Sequence, residues 1–139
     1  MITLEQARTM IAEARRAGRE KALKPLAIIV LDAGGHALAF EREDGSSPGK
    51  FEIAMGKAYG CVMLGMPGSA LMARAETQAY FMTAANGAYG GKLLPVPGGV
   101  LVLRDGAVVG AVGVTGDTSE NDAAVAVVGI EAAGYEASA

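Results

Sequence analysis

The sequence predicts an α+β domain in which helices pack on an antiparallel sheet. Two hairpin signals carry this prediction: apolar, β-branched runs flank the turn Asp32-Ala33-Gly34-Gly35, and similar runs flank Asp105-Gly106. Helical patterns occupy the stretches outside these two hairpins. Strands joined by such tight turns pair antiparallel, because parallel pairing needs a crossover of a dozen or more residues. Grouped hairpins and helices therefore favour α+β over a doubly wound parallel sheet.

Length and composition are those of a single globular domain, residues 1–139. The chain is 51% hydrophobic and only 19% charged, which is too apolar for a disordered protein. A formal charge of −3 provides no basic surface, so neither nucleic acid nor an anionic membrane is an expected partner. Cys61 and His36 are the only residues of their types, which excludes a disulfide framework and any metal site needing two histidines from one chain.

The N-terminal residues contain no apolar stretch of the kind found in secretion signals, and no later segment is long and apolar enough to span a bilayer. We therefore expect the protein in the cytoplasm.

Helix and strand patterns follow one another in the order α-β-β-α-α-β-β-α, with one further strand optional before the last helix. A capping box at Thr3 and Gln6 begins the first helix, and Ser119 with Asp122 forms a similar pair before the last one. The final residues, 136–139, predict a frayed tail. The predicted elements are a helix ending before Pro25, strands Leu26–Leu31 and His36–Arg42, helices Phe51–Met66 and Ser69–Ala85, strands Val100–Arg104 and Ala107–Val114, and a helix Ala123–Ala133.

The helix Phe51–Met66 is apolar on nearly every face. A helix of this kind is buried on more than one side. In a domain of this length we expect part of that burial to come from a second subunit, with Gly56 and Gly60 permitting close backbone approach. Cys61 lies inside this helix, which favours an inert buried thiol over a nucleophile.

His36 is the one side chain whose ordinary pKa lies near neutrality, and the one neutral nitrogen ligand for a metal. Because it follows a glycine turn, it is predicted at a strand start near the sheet rim, where axial contact with a haem is feasible. The alternative is a surface histidine without a role.

Charged residues in or beside the predicted helices are further candidates. Lys57, the lone cation within an apolar helix, and Arg74 are candidate anchors for a ligand carboxylate, while the alternative for Lys57 is a side chain that reaches out to water. Glu120 and Asp122 lie at a predicted helix start, where capping competes with ligand binding and Glu120 is available for proton transfer. Gly98 and Gly99 allow either a turn or a close approach of backbone to ligand.

Five segments, taken together, resemble the GlcG/HbpS family, and the similarity extends from Thr3 to Gly134. The family includes haem-binding proteins and the C-terminal domain of PduO-type corrinoid adenosyltransferases. The resemblance implies a profilin-like fold, with a five-stranded antiparallel sheet flanked by helices, and homo-oligomers from dimer to octamer. The segments are Asp-Ala-Gly-Gly-His at 32–36, Glu-Ile-Ala-Met-Gly-Lys-Ala at 52–58, Leu-Pro-Val-Pro-Gly-Gly-Val at 94–100, Gly-Ala-Val-Gly-Val-Thr-Gly at 110–116 and Glu-Asn-Asp at 120–122.

The resemblance also implies a shared ligand pocket, and it leaves two main functions open. The first is binding of haem or a similar small anionic ligand, with His36 as the iron ligand and Lys57 or Arg74 near the propionates. The second is a cofactor-independent isomerase, hydratase or hydrolase acting on an organic acid of glycolate or aromatic catabolism, with His36 and Glu120 moving protons. A purely structural accessory subunit is a third reading. The expected pocket residues are Asp32, His36, Lys57, Arg74, Pro97, Gly98, Gly99, Glu120 and Asp122.

Overall fold

A five-stranded antiparallel sheet separates two layers of helices in the computed structural model, which describes residues 1–139. The strand order is β2-β1-β4-β3-β5. The elements are α1 Leu4–Glu20, β1 Ala27–Asp32, β2 Ala37–Arg42, α2 Lys50–Leu64, α3 Gly68–Thr77, α4 Ala79–Ala88, β3 Gly99–Arg104, β4 Ala107–Thr115, α5 Ser119–Ala132 and β5 Glu136–Ser138.

The predicted α+β class and both predicted hairpins are confirmed. β1 pairs antiparallel with β2, and β3 with β4. In the second hairpin Asp105 and Gly106 have φ of 51° and 78°, the left-handed backbone that a type I′ turn requires. The capping box at Thr3 is also present, since Thr3 and Gln6 bond each other's backbone N–H groups.

Side chains alternate across the sheet and build a core on each face. On β1, Ile28 and Val30 pack with α1 and α5, whereas Ile29 and Leu31 pack with α2 and α3. All four are fully buried. The run Leu26–Leu31 is apolar at every position because both faces of β1 are covered.

Two predicted elements differ from the structure. The single helix predicted for Ser69–Ala85 is two helices, α3 and α4, because the backbone at Gln78 leaves the helical region (φ −137°, ψ 57°). The prediction of a frayed tail at residues 136–139 is wrong as well, because Glu136–Ser138 forms strand β5, which pairs with β3. Tyr135 holds this strand in place, since its ring is buried and its hydroxyl lies 2.7 Å from the side-chain oxygen of Gln6.

The close approach predicted between α2 and a second subunit is made within the chain. Gly56 faces Leu94, and Gly60 faces Leu71 and Leu93. α2 thus lies between the sheet on one side and α3 and the 91–94 segment on the other, which accounts for its apolar sequence. No helix of the protein is both long and apolar enough to cross a bilayer.

Glycines in the sheet let α2 rest directly on the strands. A Cβ on Gly113 of β4 would collide with the backbone carbonyl oxygen of Ala54, and one on Gly99 of β3 with the carbonyl oxygen of Lys57. Neither obstacle is a flexible side chain, so α2 cannot lie at this height above the sheet if either glycine is replaced.

We expect Gly113→Ala to lower the free energy of unfolding by about 3 kcal/mol, because the added methyl group forces α2 away from the sheet. Gly87→Ala is the matched control, since Gly87 lies in α4 with open space around it. Alanine there is expected to stabilise by about 0.5–1 kcal/mol. Urea unfolding of both variants measures the difference, and equal effects would contradict this packing.

Candidate functional site

An apolar cleft of about 490 Å³ opens beside the first half of α2, the largest of four clefts in the structure. The other walls come from Ala37 at the start of β2 and from the segment 91–94. Glu52 and Lys92 are the charged residues that line it. Its large apolar residues are Phe51, Ile53, Met55, Leu93 and Leu94.

The segment 91–94 is held in place against α2. Gly90 and Gly91, with φ of 70° and 79°, turn the chain sharply after α4. The backbone N–H of Leu94 then donates to the carbonyl oxygen of Gly56 at 3.2 Å, and that of Leu93 to the side-chain oxygen of Asn86 at 2.8 Å. The cleft is therefore a built feature of the fold, with one wall fixed by hydrogen bonds at successive residues.

His36 precedes this cleft in the chain but is not one of the residues that line it. Asp32 Oδ1 accepts the backbone N–H groups of Gly34 and His36, both at 2.9 Å, and so fixes the turn. The His36 bond is the main reason why the pKa of Asp32 lies below its ordinary value. The imidazole itself is 82% exposed, and its Nδ1 lies 3.4 Å from Asp32 Oδ1. Ala37, the next residue, lines the cleft.

Lys57 and Asp122 form a buried ion pair that joins α2 to the start of α5. Lys57 Nζ donates to Asp122 Oδ2 at 3.2 Å and to the carbonyl oxygen of Val114 at 3.0 Å. The two residues are only 3% and 1% exposed. The other carboxylate oxygen of Asp122 accepts the backbone N–H of Asp117 at 2.9 Å.

Burial acts against the charged form of both partners. Desolvation lowers the pKa of Lys57 and raises the pKa of Asp122, while the attraction between them opposes both shifts. The ammonium group is therefore committed to its own chain, because any other anion would have to displace a buried carboxylate.

Several other predicted site residues gather around this ion pair. Gly98 lies directly beside Lys57 Nζ, and Gly99 lies against the Lys57 backbone. Pro97 is buried next to them, whereas Glu120 is exposed on the first turn of α5. The cap of that helix is Thr118, one residue before the predicted position, and its hydroxyl accepts the N–H of Asn121.

The structure separates His36 from this group. The His36 turn follows Asp32, which pairs with Gly110, while Lys57 meets β4 at Val114, the partner of Ile28. The two positions thus lie near opposite ends of β1, and the four residue steps from Ile28 to Asp32 span roughly 13 Å. His36 and Glu120 are therefore not brought together within one chain, and the expected shared pocket divides into two regions.

Arg74 belongs to neither region. Its guanidinium group stacks on the ring of Phe81 at 3.7 Å, and its Nε donates to Gln78 at 3.0 Å. These contacts tie α3 to α4.

Cys61 is buried against β3, and burial raises the pKa of its thiol to about 12. This agrees with the inert thiol favoured by the sequence.

Sequence reasoning missed the cleft and its cation, Lys92. The available signal was the pair Gly90-Gly91, a sharp turn directly before a lysine and two leucines. That pattern is common in ordinary loops, and nothing local indicates that the loop packs on α2.

Comparison with known proteins agrees with this fold. The family described as "Haem degrading protein HbpS-like" matches residues 2–131. Protein GlcG of Escherichia coli strain K12 is 36% identical over an alignment of 106 residues, and the alignment covers 71% of this chain and 72% of GlcG.

Solved structures are similar over nearly the whole length. A double mutant of HbpS from Streptomyces reticuli superimposes with a TM-score of 0.78 at 28% identity, covering 93% of this chain and 84% of that one. A PduOC:heme complex superimposes with a TM-score of 0.85 at 21% identity, covering 96% and 95% of the two chains.

The fold and the cleft define a small α+β domain with a preformed apolar cleft. Since the family match spans almost all of the sequence, the chain belongs to the GlcG/HbpS family.

The buried ion pair yields a prediction about coupled stability. Lys57→Met is expected to lower the free energy of unfolding by about 3–5 kcal/mol, because it leaves the Asp122 carboxylate buried without a counter-charge. Lys57→Met combined with Asp122→Asn is expected to cost less than the sum of the two single changes. Urea unfolding of the four proteins in this cycle measures the coupling, and strictly additive losses would contradict the pairing.

Proposed function

We propose that this protein binds haem, or a similar flat apolar anion, in the cleft beside α2, with His36 as the ligand of the iron. The observation that carries the proposal is the largest cleft, which has apolar walls and is lined by Ala37, the residue that directly follows the only histidine in the chain. Pockets for organic ligands typically enclose about 300–1,000 Å³ and combine apolar walls with a few polar groups. The volume of about 490 Å³ lies within that range.

The walls suit a flat ring system. Phe51 is 40% exposed at the cleft and is held edge-on against Phe40, with ring centroids 5.0 Å apart. Met55 adds a polarizable thioether, which packs well against aromatic rings. Aliphatic and methionine side chains supply the remaining contacts, so the absence of tryptophan is no obstacle.

The surroundings of His36 suit a metal ligand. A ligating histidine usually presents its second ring nitrogen to a carboxylate or carbonyl group, which fixes the tautomer. Nδ1 of His36 faces Asp32, which leaves Nε2 available for iron. When bound, haem would supply a redox-active iron centre; His36 would hold the iron through Nε2, and the cleft walls would orient the ring and shield it from water.

The family supports the same ligand. The description of the matching family names a haem-degrading protein, and the PduOC structure is a heme complex. We carry haem binding over from these relatives as part of the proposal.

Self-association completes the proposal. Each chain offers one histidine, so a second protein ligand of that type has to come from another subunit. Apolar side chains are left uncovered on the α2–α4 layer, including Tyr80, which is 74% exposed. Such a surface suits contact between subunits.

A ligand-binding role is favoured over the enzyme alternative. That alternative requires His36 and Glu120 to act on one substrate, and they lie near opposite ends of β1 within a chain. General acid–base catalysis needs both groups within hydrogen-bond reach of the reacting atoms.

A hemin titration tests the proposal. We expect a saturable shift of the Soret band in the wild type, loss of that shift in His36→Ala, and binding about tenfold weaker or worse in Ala37→Phe, which narrows the cleft. Ala107→Phe is the matched control, since Ala107 is likewise the exposed first residue of a strand but lies away from the cleft. Light scattering on the same samples gives the number of subunits per haem.

Each outcome has a definite meaning. An unchanged Soret shift in His36→Ala would remove His36 as the iron ligand. Equal affinity in Ala37→Phe and Ala107→Phe would place the ligand outside the cleft. No saturable shift in the wild type would overturn haem binding.

A further inference from the structure

We propose that Lys92 is the residue that anchors the carboxylates of the bound ligand, and that the ligand therefore carries its acidic groups on the edge facing the segment 91–94. This inference rests on the proposed function of the cleft. Lys92, which no sequence motif marks, then has the role that was expected of Lys57 or Arg74.

Neither of those two cations is available to a ligand in the cleft. The ammonium group of Lys57 is buried with Asp122 and bonded to Val114. The guanidinium group of Arg74 covers the Phe81 ring and donates to Gln78, on the α3–α4 side of the layer. Neither residue lines the cleft.

Lys92 meets both requirements of an anchor. It is the only cation that lines the cleft, and no carboxylate oxygen lies within 4.0 Å of its ammonium group. Its Nζ lies over the Tyr59 ring, 5.6 Å from the centroid, a cation–π contact that leaves the positive charge without an acidic partner. The ammonium group is therefore free to pair with an incoming anion.

The backbone of Lys92 is held while its side chain is free. Its carbonyl oxygen lies against Gly56, and the N–H groups of the next two residues are bonded to Asn86 and Gly56. Only the side chain has to be ordered when an anion binds, which limits the entropic cost of the contact.

Glu52 adds a negative charge to a cleft whose other charged residue is Lys92. This carboxylate lines the cleft from the first turn of α2, one helical turn before Gly56, the residue that Lys92 contacts. A ligand carboxylate is repelled from Glu52 and attracted to Lys92, so the two charges favour one orientation of an asymmetric ligand. The class of ligand that fits is a flat apolar ring system with carboxylates grouped on one edge.

The experiment compares metal-free protoporphyrin IX with its dimethyl ester, which has the same ring and no carboxylates. Binding is followed by porphyrin fluorescence for the wild type, Lys92→Met, Lys92→Arg and Glu52→Gln. Lys21→Met is the matched control, since Lys21 is an exposed lysine beyond α1. Because neither porphyrin contains iron, the result does not depend on His36.

We expect Lys92→Met to weaken protoporphyrin binding by about tenfold, the size of one charge-assisted contact, and to leave the ester unaffected. Lys92→Arg restores most of the loss, Glu52→Gln tightens protoporphyrin binding, and Lys21→Met changes neither ligand. Raising the salt concentration weakens protoporphyrin binding by the wild type more than protoporphyrin binding by Lys92→Met.

Two results would overturn the inference while leaving the proposed function intact. The first is an unchanged protoporphyrin affinity in Lys92→Met. The second is an equal loss of affinity for protoporphyrin IX and its dimethyl ester, which would show that the Lys92 side chain only shapes the cleft wall. Failure of the wild type to bind either porphyrin would instead overturn the cleft as the ligand site, and the anchor with it.

Discussion

Direct contact between the backbone of α2 and the centre of the sheet is the constraint on which the rest of the structure depends. Gly99 and Gly113 lack the side chains that would hold the helix off, so the carbonyl oxygens of Ala54 and Lys57 lie against the strands. This height lets the Lys57 side chain reach Val114 and Asp122. The ion pair bears a desolvation cost, yet it fixes the position of α2 relative to α5 because either charge alone would be buried without a partner.

The cleft follows from that fixed helix. Its opposite wall, the segment 91–94, is bonded to α2 at Gly56 and to α4 at Asn86, so the space between them is set by hydrogen bonds. The Lys57–Asp122 pair thus holds the fold together, while Lys92 lines the cleft and the exposed His36 directly precedes Ala37 on its wall. In the proposed function, stability and binding therefore depend on different charges: the buried Lys57–Asp122 pair holds α2 to α5, and Lys92 meets the ligand.

The fold was largely predictable because its signals are local. Type I′ turn chemistry at Asp105-Gly106, the capping box at Thr3 and the apolar run of β1 each determine structure within a few residues. β5 was not predictable, because its three residues depend on the open edge of β3 and on the burial of Tyr135. The site was harder still. Sequence order does not show that Asp122 reaches Lys57 or that Lys92 reaches α2, since both contacts join elements distant in the chain.

The place where the ligand binds can be located on the protein by NMR. A titration of ¹⁵N-labelled protein with metal-free protoporphyrin IX, followed by amide chemical shifts, reports which residues meet it. Binding in the cleft predicts shifts concentrated at residues 36–37, 51–56 and 91–94, with little change at Gly98, Glu120 and Asp122. Shifts concentrated around the Lys57–Asp122 pair, with the cleft residues unchanged, would contradict it.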